Sequence, residues 1–219
     1  VGSHVITFIA TDGLLSDTEV MTITVNNRAP ALTPPSPQAV FNGSAVNLTL
    51  SGSDPDGNAL TYSASGLPAG ATVAAATGAF SWTPTLGQVG VHAITVSASD
   101  GLLSASQVLT ITVGNRAPAL TAIGNKVRQA GQSLDFTVGG SDPDGNPLTY
   151  SASGLPAGAT LNASTGAFSW TPSIGQAGDH QITFTASDGL LTDAETITVT
   201  VSLVPVTGAY QFYVPYITR

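Results

Sequence analysis

"SDPDGNALTYSASGLPAGAT", residues 53–72, and "SDPDGNPLTYSASGLPAGAT", residues 141–160, are the same twenty residues written twice, differing only in Ala59 against Pro147. The interval from Asp54 to Asp142 is 88 residues, and it recurs outside this stretch: Asn27 and Asn115 in "NRAP", Trp82 and Trp170 in "FSWTP", and Asp12, Asp100 and Asp188 in "DGLL". No insertion interrupts the spacing, so each period is one structural unit and the units stand in series. Residues 27–114 and 115–203 each carry the complete set, residues 1–26 match only the last two strands of a period, and residues 204–219 form a non-repeating aromatic tail.

Within a period, apolar residues alternate with polar ones at Val46, Leu48, Leu50; Leu60, Tyr62; Phe80, Trp82; Ile94, Val96, Ala98; and Leu109, Ile111, Val113. Period two means strands with one buried face. Gly and Pro punctuate the strands at "GLPAGAT", "TPTLGQVG" and "SDGLLS", and apolar residues nowhere recur at helical spacing for three turns. About seven short strands in one period is the pattern of a two-sheet antiparallel sandwich. The expected fold is therefore all-β: tandem Ig-like sandwiches in a linear array.

Composition narrows the function. The chain has no cysteine, which excludes disulfides, thiolate metal sites and cysteine nucleophiles. Charged residues make up only 8%, the net charge is −8, and seven of the thirteen acidic residues sit in the repeated motifs. Clustered acids favour a cation and argue against nucleic acid or an anionic membrane surface as partner. No apolar run approaches the roughly 20 residues of a membrane span. No nucleophile with a base, phosphate loop or zinc pattern recurs, so an enzyme is not expected.

"DPDGN" departs from an EF-hand loop, because Gly57 stands at the fourth position and Ser65 at the twelfth. Asp54, Asp56 and Asn58 nonetheless offer oxygen at alternate positions of an extended segment and project to one side. Asn27 upstream and Asp100 in "ASDG" recur in register with them, and all five would converge if the strand carrying Asp100 ends near the turn. The second copy offers Asn115, Asp142, Asp144, Asn146 and Asp188. The same residues also make a good turn on their own, with Asp capping amides and Gly supplying positive φ. That reading accounts for the Gly and Pro but not for Asn27 and Asp100.

The order "NRAP…DPDGN.LTYSASGLPAG…TGAFSWTP…ITVSASDG" resembles the bacterial cadherin-like, dystroglycan-type "putative-Ig" repeats of surface proteins, over both full periods and the fragment. The resemblance implies calcium between successive domains, held by those ten residues. Departures weaken the implication: the linker has fewer acids, and the segments "TPTLGQVG" and "TPSIGQAG" carry none. One ion per junction is expected, in the extracellular affinity range of about 10⁻⁴–10⁻³ M.

Other residues have plainer readings. His4, His92 and His180 share one position and the parity of a buried isoleucine, and are expected to bond a nearby turn. Trp82 and Trp170 are expected as core anchors rather than sugar platforms. Arg28 and Arg116 are placed to pair with a motif aspartate. Asn42, Asn47 and Asn162 begin N-x-S/T sequons, which matter only in a glycosylating context. The tail alternates Tyr210, Phe212, Val214 and Tyr216 with Pro215 on the other face, which suits an added edge strand. The expected protein is a secreted or surface-displayed bacterial stalk, spacer or filament subunit. Its expected partners are copies of itself or adjacent repeats, with cell-surface glycans if it serves as a binding accessory of a secreted enzyme.

Overall fold

The structure, a computed structural model of the 219-residue chain, is described over residues 1–203, so the expected tail strand lies outside the described residues. It divides into two units at Gly114/Asn115. The first contains β1 (Gly2–Thr11), β2 (Ser16–Val25), β3 (Ala31–Leu32), β4 (Gln38–Phe41), β5 (Val46–Thr49), β6 (Gly52–Ser53), β7 (Thr61–Ser65), β8 (Thr72–Val73), β9 (Ala79–Trp82), β10 (Gly90–Ser99) and β11 (Ser104–Gly114). The second contains β12 (Ala119–Leu120), β13 (Lys126–Gln129), β14 (Leu134–Thr137), β15 (Gly140–Ser141), β16 (Thr149–Ser153), β17 (Thr160–Leu161), β18 (Ala167–Trp170), β19 (Gly178–Ser187) and β20 (Thr192–Ser202). Among the described residues the helical content is two single 3-10 turns, Leu86–Gln88 and Ile174–Gln176.

In the first unit, one sheet runs β4-β11-β10-β7 and the other β5-β9-β8, with β3 and β6 as a short separate ladder. β10 pairs antiparallel with β11 and β7, whereas β4 joins β11 in parallel, with Gln38 opposite Ile111 and Phe41 opposite Gly114. The alternation read from the sequence sets the faces. Phe80 and Trp82 of β9 lie against the sheet carrying Ile94 and Val96 of β10 and Leu109 and Ile111 of β11, all at most 1% exposed. Each such side chain contributes roughly 1.5–3 kcal/mol by leaving water.

The second unit repeats this plan as β13-β20-β19-β16 over β14-β18-β17. It fills the core differently. Phe136 and Phe184 replace Leu48 and Val96 and pack with Phe168, the rings of Phe168 and Phe184 meeting edge-on at 5.5 Å. It also fastens its first strands more firmly: Glu195 accepts the amides of Ile123 and Gly124 at 2.8 and 3.0 Å, and Asp193 accepts that of Leu120 at 2.8 Å. The first copy has Gln107 and Ala105 at those positions.

Residues 1–26 form the same terminal hairpin a third time. Gly2 faces Val25 just as Gly90 faces Val113 and Gly178 faces Val201. Among the described residues no sheet lies opposite this hairpin, and Ile6, Phe8 and Ile23 are 37%, 53% and 41% exposed, where Ile94, Val96 and Ile111 are fully buried.

The repeated glycines are placed by geometry. Gly57 and Gly145 adopt φ +78° and +79° within "DPDGN", a left-handed turn position that other residues resist. Gly166 has φ +69°, and a Cβ there would come within 2.0 Å of the Val138 carbonyl oxygen.

Candidate functional site

In each copy the linker residues run beside the "DPDGN" turn and the end of the long β10 or β19 strand. The turn is self-supporting: Asp54 Oδ1 accepts the amides of Asp56 and Asn58 at 2.8 and 3.1 Å, and the Gly57 amide donates to Asp54 O at 3.2 Å. Asp142 does the same for Asp144, Asn146 and Gly145 at 2.8, 3.1 and 3.1 Å. The turn reading of these residues is thus correct as far as one oxygen of each first aspartate.

The linker is fastened at two points. Asn27 donates its side-chain amide to Asp100 Oδ2 at 2.7 Å, and Asn115 donates to Asp188 Oδ2 at the same distance. The other oxygen, Oδ1, of Asp100 accepts the amides of Leu102 and Leu103, and Asp188 that of Leu190 and Leu191, all at 2.7 Å. The second point is the arginine expected to pair with an aspartate. Arg28 donates its backbone amide to Asp56 Oδ2 and its Nε to Asp56 Oδ1, each at 2.7 Å, while Nη2 reaches the Pro55 carbonyl. Arg116 repeats all three contacts on Asp144 and Pro143.

These bonds set the acidities. The Leu103 amide, followed by the Asn27 side chain and the Leu102 amide, holds the Asp100 carboxyl below the ordinary carboxylate range. At Asp188 burial pushes the carboxyl up, but the Asn115 side chain and the Leu191 and Leu190 amides outweigh it and the net shift is downward. The Arg28 backbone amide and then its guanidinium lower Asp56, against an opposing push from the Asp100 charge. That repulsion places Asp56 and Asp100 in one electrostatic neighbourhood.

The first aspartate of each D-x-D pair keeps one oxygen to spare. Asp54 Oδ2 and Asp142 Oδ2 are buried and have no hydrogen-bond partner within the protein. A desolvated carboxylate oxygen without a donor is costly, and a hard cation would satisfy it. The three aspartates of each set together with the adjacent arginine leave a formal charge of two negative units. At the same time, among the described residues no three carboxylate or imidazole side chains are arranged to grip a metal ion together. In each copy the linker and the turn therefore meet through two hydrogen-bonded pairs, Asn27–Asp100 with Arg28–Asp56 and Asn115–Asp188 with Arg116–Asp144, beside an unsatisfied oxygen of the first aspartate, and Asn58 stays exposed at the rim.

His92, His180 and both tryptophans are placed as their parity indicates, whereas His4, in the uncovered hairpin, is exposed. His92 Nε2 bonds Gln88 O at 2.7 Å and the imidazole meets Trp82 edge-on at 4.9 Å. Trp82 is 1% exposed and donates Nε1 to Ala69 O at 3.2 Å, so it presents no face to a sugar. Asn42 is buried at 1%, which closes that sequon to a glycan. Sequence reasoning missed Gln88 and Gln176, whose side chains tie the "GLPAG" loop to the 3-10 turn through Ala69 O and Ala157 O. The T-x-x-Q and S-x-x-Q spacing of Thr85–Gln88 and Ser173–Gln176, a capping-box pattern, was the available signal.

Comparison with known proteins adds the following. The sequence model described as "Putative Ig domain" matches residues 29–114 and 117–202. Chitinase A of Pseudoalteromonas piscicida is 33% identical over 132 residues, 58% of this chain and 16% of that protein. The serine-rich adhesin for platelets of Staphylococcus aureus strain MRSA252 is 28% identical over 177 residues, 79% of this chain and 12% of that protein. The chain thus spans under a fifth of the length of either relative. Among solved structures, human protocadherin-24 EC1-2 is 18% identical with a TM-score of 0.41, covering 82% of this chain and 100% of that one. An endo-fucoidan hydrolase of glycoside hydrolase family 107 is 20% identical with a TM-score of 0.40, covering 92% of this chain and 34% of that one.

Proposed function

The chain belongs to the Putative Ig domain family, and from its two full copies in series we propose that it is a non-enzymatic, extracellular repeat segment that sets distance and presents an adhesive part of a larger surface protein. The observation that carries this reading is the duplication of the linker attachment: Asn27–Asp100 with Arg28–Asp56, and Asn115–Asp188 with Arg116–Asp144, bond for bond. A linker held twice to the domain it enters limits the freedom of that segment, as a spacer requires. The likeness to repeats of a staphylococcal adhesin supports an adhesive setting.

Calcium is the cation that the oxygen-only donor set suits. Asp54 and Asp100, with Asn27 and Asn58, would hold it in the first copy, and Asp142 and Asp188, with Asn115 and Asn146, in the second. Bound there, the ion would neutralise clustered carboxylates and add stiffness. The unsatisfied Oδ2 of Asp54 and of Asp142 supports the assignment. Asn27 and Asn115 now donate their amide nitrogens to the aspartates, so a cation would compete with those bonds. Weak affinity follows.

Partners of the same kind, adjacent repeats or further copies of the chain, are in keeping with a segment built of one repeated unit. Differential scanning calorimetry and small-angle scattering of the full chain, with calcium and with chelator, test the reading: calcium should raise Tm and lengthen the particle, and identical curves in both conditions overturn the metal assignment. A second reading, a carbohydrate-binding accessory module of a secreted enzyme, draws on the likeness to part of a chitinase. A glycan array separates the two, because a spacer retains no glycan selectively.

A further inference from the structure

Two of the five basic residues of this chain stand at one repeated position, beside the linker asparagine. In a sequence with so little charge, that placement concentrates its cations on the acidic motif. The guanidinium does there what a small cation would do. Arg28 Nε lies 2.7 Å from Asp56 Oδ1, Nη2 also lies 2.7 Å from that oxygen, and the backbone amide of the same residue closes on Oδ2 at 2.7 Å. Both oxygens of the carboxylate are engaged by one residue. Arg116 does the same to Asp144, whose side chain is fully covered, although Arg116 itself is 45% exposed. The neighbouring aspartate of each D-x-D pair, by contrast, keeps one buried oxygen unpartnered. Within "DPD", the first carboxylate keeps an oxygen without a partner, and both oxygens of the second are engaged.

We propose that Arg28 and Arg116 are resident counter-ions. Each withdraws the second aspartate of its D-x-D pair from any divalent-metal set and holds the linker on the turn before a metal arrives, and so fixes how many ions a site takes and how tightly. The proposal rests on the cation reading given above. A fixed guanidinium also repels an incoming divalent ion, so its removal frees Oδ1 of the second aspartate, while the backbone amide stays on Oδ2, and takes away one positive charge. The local charge would change from two to three negative units.

The experiment is isothermal titration of the full chain with calcium chloride, for the parent, Arg116→Gln, Arg28→Gln, Arg116→Lys and the double variant Arg116→Gln/Asp144→Asn. Glutamine keeps a hydrogen-bonding head without charge, and lysine keeps the charge without the planar fork. Each glutamine variant should bind calcium on the order of tenfold more tightly, or take up one further ion. The lysine variant should fall between glutamine and parent, and the double variant should return to parental binding. If the parent and glutamine variants bind equally, the counter-ion role is overturned and the calcium reading stands. If only the glutamine variants bind, with Asp144 required, the counter-ion role is supported and the calcium reading of the natural chain fails. If none binds, both fail. The two arginines lie in separate copies, so loss of folding in one variant leaves the other to decide the matter.

Discussion

Asn27 and Asp100 stand 73 residues apart in sequence and meet at 2.7 Å, the asparagine amide donating to Oδ2 of the carboxylate; Asn115 and Asp188 repeat the pair at the same distance and separation. The bond joins the strand's end to the linker that precedes its own sandwich. A charge-assisted bond of this kind is stronger than one between neutral groups. It accounts for the recurrence of "NRAP" and "ASDG" in register.

Asn115→Ala removes the amide and leaves Asp188 Oδ2 without that donor at a residue 6% exposed. The expected loss is about 1–3 kcal/mol of unfolding free energy, read as a lower urea midpoint with unchanged m-value. A midpoint equal to that of the parent would show that water replaces the amide at no cost.

Acid should weaken both copies. The carboxyls of Asp56, Asp100 and Asp188 lie below their ordinary value when folded, so the unfolded chain takes up protons first as pH falls. The stabilisation is complete above the ordinary carboxylate range of about 4 and is lost as pH drops through the lowered folded-state values. Tm should be level from neutrality to about pH 5 and fall below about pH 4. In Asp100→Asn/Asp188→Asn the fall should be shallower; an unchanged slope would place the acid sensitivity elsewhere.

Trp170 is 1% exposed, donates to Ala157 O at 3.3 Å and meets His180 at 5.0 Å. Trp170→Ala should cost about 3–5 kcal/mol, enough to unfold the second unit at moderate temperature. Calorimetry should then show the transition of the first unit retained. Simultaneous loss of both transitions would mean that the units do not fold independently.

Gly145 and Gly166 share a positive φ, yet a Cβ at Gly145 meets open space whereas one at Gly166 comes within 2.0 Å of Val138 O. Gly145→Ala should cost about 1 kcal/mol for the backbone conformation alone, and Gly166→Ala distinctly more, because the main chain must move. Equal Tm losses in the two variants would show that the β14–β18 region yields freely.

The sequence by itself determined the 88-residue period, the all-β sandwich class, the inward parity of Phe80, Trp82, Ile94, Val96, Leu109 and Ile111, and the pairing of Arg28 with a motif aspartate. These are local properties, repeated in the chain. Alternation fixes which face of a strand is apolar wherever the strand lies, and two copies of a motif keep residues that must meet at constant spacing. The parallel seat of β4 on β11, the Glu195 attachment to Ile123 and Gly124, and the Gln88 tie to Ala69 were decided only by the tertiary structure. The same holds for the acidic set. Sequence brought Asn27, Asp54, Asp56, Asn58 and Asp100 to one end of the sandwich, but whether each oxygen meets an amide, a guanidinium or nothing depends on displacements of about an ångström, set by packing between segments 28 and 73 residues apart. Hydrogen bonding falls off steeply over that distance, and so the unsatisfied Oδ2 of Asp54 and the fully engaged carboxylate of Asp56, two residues away, could be told apart only in the folded chain.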